Sequence, residues 1–410
     1  MSKVGGALPA WYWPEGIPRR SPVAHQTLDR LIKRASSRSA EAPAIVWGDR
    51  VLSFGELLET AIAFGQAITE LCPGDDVIAI AEADPGEAYV LMLSALSAGR
   101  RVLLAELTAS EAELAQQLSD AAVRFVLTAT GAGAAGRFAE MHVVDRKQLS
   151  AFDGERAKPR PSKATDAAVI IPADGELAMH SQYSIAAMGV SLSAFIPQLR
   201  QMTLVAPPPL WRWESLAVMT AALTSGAPIS VSSLAELSDS GSVDVTGAYA
   251  VMLRRQADEL IDAKRAPAAL RSLVYLFVST GHFRPRWRRE LESVCGREVL
   301  PIWGTAPLGP AVAAHPSWFP LDAHGIPLVN VRVVPIDPAS GEVSVVPWEM
   351  LERAEIGVET PAAMTRFVRD GADAELRSGK ILRTFVSGSV DHVGVVVLHR
   401  PPQRRGVDRP

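Results

Sequence analysis

Strand-length and helix-length patterns alternate through the first third of this chain, and that alternation limits its fold more than any other feature. Residues 77–81 read as a buried strand, 86–98 as a helix and 101–105 as a strand. Residues 111–121 then read as a helix and 124–128 as a strand. A strand–helix rhythm of this kind favours a parallel sheet covered by helices. Upstream, residues 44–47 and 51–54 flank Gly48-Asp49-Arg50 as strand, turn and strand, and 56–71 form a helix stopped by Pro73-Gly74. A second unit follows, with strands at 167–171, 202–206, 229–231, 273–278 and 299–302 and helices at 182–195, 213–224 and 284–294. After Pro307 short strands with turn signals dominate, at 331–336, 342–346 and 393–398. The expected organisation is an extended arm over 1–22, α/β subdomains over 23–165 and 166–306, a β-rich subdomain over 307–400 and a disordered tail over 401–410.

Composition narrows the function. Forty-one Lys and Arg against 45 Asp and Glu leave a net charge of −4 in 410 residues. That argues against a nucleic-acid binder working by bulk positive charge, and 48% hydrophobic content argues against a disordered chain. Cys72 and Cys295 are too few for a disulfide framework or a zinc site and read as reduced core thiols. No apolar run approaches the roughly twenty residues of a membrane helix, and no signal peptide is evident, so a cytoplasmic location is expected. The chain has no GxSxG, HExxH or CxxC string. Gly131-Ala132-Gly133-Ala134-Ala135-Gly136 fits GxGxxG, but the basic, Pro-bearing sequence after it is not the helix a dinucleotide site needs.

Several short strings, in register, carry more than any of these. They include Trp13-Pro14-Glu15-Gly16, Pro43-Ala44-Ile45-Val46, Leu52-Ser53-Phe54-Gly55-Glu56-Leu57, Pro73-Gly74-Asp75-Asp76-Val77 and Leu93-Ser94-Ala95-Leu96-Ser97-Ala98-Gly99. Met179-His180-Ser181, Leu270-Arg271-Ser272-Leu273 with Ser279-Thr280-Gly281, residues 299–304 and Arg383-Thr384 continue the series. Together they resemble the large N-terminal domain of the AMP-forming acyl-CoA synthetases, the acyl-adenylating (AMP-binding) superfamily. The resemblance implies an α/β fold with two helix-covered sheets and a small β-rich subdomain.

It also implies a site, and there this sequence departs from the family. The family's phosphate loop is rich in Gly, Ser and Thr and ends in lysine. Here the stretch carries Asp174 and Gly175, with Glu176 at the lysine's place. Two carboxylates facing a polyphosphate oppose its binding, and a solvated acidic turn is expected instead. The family's magnesium-binding glutamate corresponds to Pro307, after Trp303, Gly304, Thr305 and Ala306. Its ribose-binding aspartate is lost after Thr384, where Phe385 and Val386 follow. His180, Thr384 and Arg400 fall on conserved-type positions of the family motifs. Arg212, between Trp211 and Trp213, replaces a histidine of the carboxylate pocket and is a candidate to hold a carboxylate or phosphate. Ser279, Thr280 and Gly281 complete the expected substrate pocket. The chain after Arg400 is too short for the mobile C-terminal domain that carries the family's catalytic lysine.

The resulting expectation is a catalytically degenerate, truncated acyl-CoA synthetase-like protein with no catalytic residue, metal site or cofactor. It would act as a binding or structural partner of an acyl ligase, an acyl-carrier protein or an acyl compound. The alternative is a divergent AMP-forming acid–thiol ligase using ATP and magnesium on a fatty or aryl carboxylate, with a partner chain supplying the missing domain. A third possibility is a scaffold whose old pocket is filled by Phe385, Trp303 and Trp211.

Overall fold

In the computed structural model the described residues are 13–399, apart from 130–136, 139, 154–159, 208, 232–248, 317–322, 338–339, 347, 349–350, 352, 370–376, 379 and 392–393. The GxGxxG string and the expected tail lie outside them, as does Arg400.

Three sheets organise the chain. The first has seven strands in the order Arg366–Phe367, Glu176–Ser181, Ala167–Ala173, Val102–Leu104, Val77–Ile80, Val123–Thr128 and His142–Asp145. Its five central and far strands run parallel, and the first two pair antiparallel. The second has nine strands, ordered Ile326–Pro327, Gly309–Ala313, Leu300–Thr305, Tyr275–Ser279, Tyr249–Leu253, Leu204–Val205, Ile229–Ser230, Pro43–Trp47 and Arg50–Ser53. The third is a small antiparallel sheet of Arg332–Ile336, Ala354–Glu359, Ile381–Val390 and Arg377–Ser378, with Val396–Leu398 beside Ile381–Val390. Strand pairing crosses the expected boundary at residue 165 in both directions. The hairpin 43–53 joins the nine-stranded sheet through Ile45 and Ile229, and the hairpin 167–181 joins the seven-stranded sheet through Val102 and Val169. Residues 342–346 form no strand of their own; Val343 makes a single bridge to Ile336.

Local chemistry sets the helices. Ser53 and Glu56 form a reciprocal capping box at the start of Phe54–Leu71, and Ser110 and Glu113 do the same for Glu111–Asp120. Helices Gln182–Phe195 and Trp213–Ser225 are apolar on nearly all faces because they lie between the sheets. They approach so closely at Gly189 that an added Cβ would stand 2.4 Å from the Thr220 carbonyl carbon. Cys72 and Cys295 are buried free thiols, and burial pushes their pKa values up to about 12 and about 11. Residues 19–21 of the N-terminal arm are docked on Asn330. Ser21 N–H donates to Asn330 Oδ1 at 2.8 Å, and Asn330 Nδ2 donates back to the Ser21 carbonyl at 2.9 Å.

Candidate active-site cleft

A cleft of about 550 Å³ opens where the antiparallel end of the seven-stranded sheet meets one end of the nine-stranded sheet. Asp174, Gly175, Glu176, Trp211, Arg212, Trp213, Gly304, Thr305 and Ala306 all line it. The nucleotide half and the Trp-Arg-Trp half of the expected site are thus brought together from segments far apart in sequence.

The segment at the phosphate-loop position is no loop. Strands Ala167–Ala173 and Glu176–Ser181 pair down to Ala173 opposite Glu176, leaving only Asp174 and Gly175 at the turn. Both have positive φ, +48° and +87°, which the tightest hairpin turns require and which Asp-Gly supplies. A two-residue turn offers no succession of inward backbone N–H groups to cradle phosphates.

The expected solvated acidic turn is present, with Asp174 and Gly175 exposed, and Glu176 beside it is half-buried and ion-paired. Its Oε1 accepts from Arg369 Nη1 at 3.3 Å, and Arg369 Nη2 donates to Asp120 Oδ2 at 2.7 Å. The short strand Arg366–Phe367 pairs with Met179 and Ala178 and so brings Arg369 alongside. Glu106, Glu113 and Asp120 line the same cleft as Asp174 and Glu176. Arg212 is the one basic side chain among its described lining residues.

Arg212 is itself already engaged. Its Nε and Nη2 donate to the two carboxylate oxygens of Glu214, at 3.3 and 3.1 Å. Glu214 is buried, and its Oε1 also accepts from Ser279 Oγ at 2.7 Å. Sequence reasoning missed Glu214. The signal was available: it is the one charged residue of the apolar helix Trp213–Ser225, and a buried carboxylate demands partners. The pairing follows from local geometry, since Arg212 is the residue before the helix and Glu214 lies in its first turn.

The remaining expected residues stand away from the cleft lining. His180 is completely buried, and Nε2 donates to the Ala306 carbonyl at 2.8 Å. Desolvation lowers its pKa from the usual 6.5 to about 4, against the opposing pull of carbonyls at Ala306 and Ala362. It is a neutral brace that fixes the 304–306 wall. Trp303 is buried. Thr280 Oγ1 accepts from Arg254 at 3.2 Å, and the Gly281 carbonyl accepts from His324 Nε2 at 2.7 Å. Thr384 Oγ1 donates to the Ile356 carbonyl at 2.7 Å within the small sheet. Phe385 fills no pocket. It is 49% exposed at φ +53°, with the Arg383 guanidinium 4.8 Å from its ring centre and Arg383 paired to Glu355. Among the described residues no group of three His, Cys, Asp or Glu is placed to hold a metal ion. No described helix is long and apolar enough to cross a membrane.

Two helix-covered sheets, a small β-subdomain and a cleft at their junction define an adenylate-synthetase type of α/β domain. The model of the AMP-binding enzyme family matches residues 32–367, and the chain belongs to that family. Solved structures agree on the fold. O-succinylbenzoate coenzyme A synthetase from Bacillus subtilis superposes with a TM-score of 0.80 at 17% identity, over 92% of this chain and 80% of that one. The long-chain-fatty-acid-CoA ligase from Archaeoglobus fulgidus gives 0.81 at 14% identity, over 95% and 87%. The N-terminal subdomain of Klebsiella oxytoca NpsA, in complex with 3-hydroxyanthranilyl-AMSN, gives 0.75 at 17% identity, over 91% and 99%. No curated protein sequence matches the chain.

Proposed function

We propose that this chain keeps the adenylate-synthetase fold without the adenylation reaction and serves as a cytoplasmic binding partner, for an acyl ligase, an acyl-carrier protein or an acyl compound. The observation that carries this reading is the Asp174-Gly175 turn with Glu176 beside it. Adenylation requires a tetra-anionic triphosphate to be held and its developing charge stabilised. At that position this cleft offers a two-residue turn and carboxylates, and its one arginine is committed to Glu214. The cleft is nonetheless open and walled by Trp211 and Trp213, which favours a retained binding role over a filled scaffold.

Calorimetric titration of the full chain with ATP and magnesium tests the reading. No saturable nucleotide binding at the cleft is expected. Micromolar binding, or carboxylate-dependent pyrophosphate exchange, would overturn it. Either result would favour a divergent acid–thiol ligase acting on a fatty or aryl acid.

A further inference from the structure

A second hollow, of about 210 Å³, shares no lining residue with the cleft. It lies where the end of helix Leu28–Ser36, the end of helix Trp213–Ser225 and the 3-10 turn Pro197–Gln201 converge. Arg34 and Arg38, from the end of the first helix and the turn just beyond it, and Arg200, from the 3-10 turn, line it, and no carboxylate does. None of the three makes an ion pair or a side-chain hydrogen bond among the described residues. Several other arginines are paired: Arg50 and Arg146 share Glu87, Arg212 holds Glu214, and Arg383 holds Glu355.

Arginines often sit at helix C-termini to satisfy the last carbonyls. At the end of Leu28–Ser36, which carries Arg34 with Arg38 just beyond it, the Lys33, Arg34 and Ala35 carbonyls already have donors. Ser37 Oγ donates to the Arg34 carbonyl, and the Ser37 and Arg38 N–H groups donate to Lys33 and Ala35. Arg34 and Arg38 are therefore not needed to cap those carbonyls, and three like charges around one hollow favour an anion between them.

We infer that this hollow binds a phosphate-bearing ligand, held by Arg34, Arg38 and Arg200. Guanidinium forks match the tetrahedral oxygens of a phosphate. The volume is below that of ordinary ligand pockets, which run from about 300 Å³. It suits a phosphoryl group with a short appendage, not a nucleotide or an acyl chain. Buried Leu31 and Leu223 floor the hollow beneath the arginines and would meet a nonpolar appendage.

The test is titration of the full chain with potassium phosphate, against potassium chloride at matched ionic strength. Saturable binding is expected with phosphate and absent with chloride or acetate. The double variant Arg34→Gln/Arg200→Gln should weaken it at least about tenfold, the loss of two charge-assisted hydrogen bonds. All three arginines are exposed, so the variant should melt as the parent does without phosphate; Arg38→Gln alone provides a second, milder variant. Glycerol 3-phosphate binding more tightly than phosphate assigns the hollow to an organic phosphate, and equal binding to the free anion. No saturable phosphate binding, or binding unchanged in the double variant, would overturn the inference. The same variant separates it from the proposed function: ATP heat that vanishes in the double variant belongs to this hollow, and heat that survives belongs to the cleft.

Discussion

Arg369 and Glu176, 193 residues apart, meet at 3.3 Å at the lip of the cleft, and the same guanidinium reaches Asp120 at 2.7 Å. One cation thus spaces two carboxylates that would otherwise face each other. It also pins the edge strand Arg366–Phe367 to the hairpin 167–181. Arg369→Ala should release that edge. The Val368 amide, which donates to the Leu177 carbonyl at 2.9 Å, is expected to exchange with solvent faster, with little change at Val126 in the sheet interior. Hydrogen exchange by mass spectrometry reads this directly, and unchanged protection at Val368 would mean the ion pairs do not hold the strand.

Glu214 is the buried anchor of Arg212, which lines the cleft. It is 1% exposed and takes hydrogen bonds from Arg212 and Ser279, while Arg212 is half exposed. Removing the arginine strands a buried carboxylate with one neutral donor. Removing the carboxylate leaves an arginine that can reach water. Arg212→Ala should therefore cost about 3 kcal/mol, within the range for breaking a buried pair, and Glu214→Gln less, about 1–2 kcal/mol. The double variant should cost less than the sum of the singles. Urea unfolding measures all three, and strict additivity would contradict a coupled pair.

The hairpin turn gives a cleaner case. Gly175 has φ +87°, and nothing lies within 4 Å of an added Cβ. Gly175→Ala therefore meets no clash and pays only the left-handed backbone penalty, about 1–2 kcal/mol. Asp174→Asn keeps a residue type at home in that conformation and should be nearly neutral. If Gly175→Ala melts like the parent, the two-residue turn is not the structure in solution.

Two buried histidines should make the fold acid-sensitive. Desolvation pulls His180 and His324 from the usual 6.5 to about 4, each opposed by a hydrogen-bonded carbonyl. Their folded pKa values lie below the unfolded ones, so the unfolded chain binds more protons between the two. The stability they contribute is fully present above pH 6.5 and is lost as pH falls toward 4. Each site contributes a slope of up to about 1.4 kcal/mol per pH unit within that window. Melting temperature should drop from pH 6.5 to 5 and hold level above 7. His180→Gln should flatten the drop, even if it lowers stability at neutral pH. An equally steep drop in that variant would remove His180 as a cause.

Much of the scaffold was readable because local signals and global packing agree. The helix Gln182–Phe195 begins where Ser181 caps it and ends before Pro197. The parallel strands of the seven-stranded sheet are short apolar runs between helices, as a doubly covered sheet requires. The strand Glu176–Ser181 was not legible, because His180 and Ser181 are buried along with Ala178 and Met179, so the run shows no polar–apolar alternation. Its partner Arg366–Phe367 is two residues long and set only by a contact far along the chain. Trp211, Arg212 and Trp213 were legible as an unusual cluster, but Arg212's neutralisation by Glu214 depends on helix burial that sequence alone does not give. His180 was legible as a motif residue; its task of bracing Ala306 appears only in three dimensions.

The last prediction separates charge from backbone at the phosphate-loop position. Glu176→Lys restores the residue type the resembling family carries there and removes one carboxylate from the cleft. If charge alone had abolished nucleotide binding, this substitution should recover part of it. The geometry argues otherwise. The turn remains Asp174-Gly175, with Ala173 paired to residue 176 and no run of free amides facing the cleft. The new lysine would also stand beside Arg369, released from one of its two partners. Glu176→Lys is therefore expected to bind ATP and magnesium no better than the parent. Lengthening the turn by several Gly and Ser residues in the same background is the change expected to matter, because it supplies the amide cradle. Calorimetry on the three proteins decides between the two causes: micromolar ATP binding by Glu176→Lys alone would show that one charge, and not the shortened turn, closed the site.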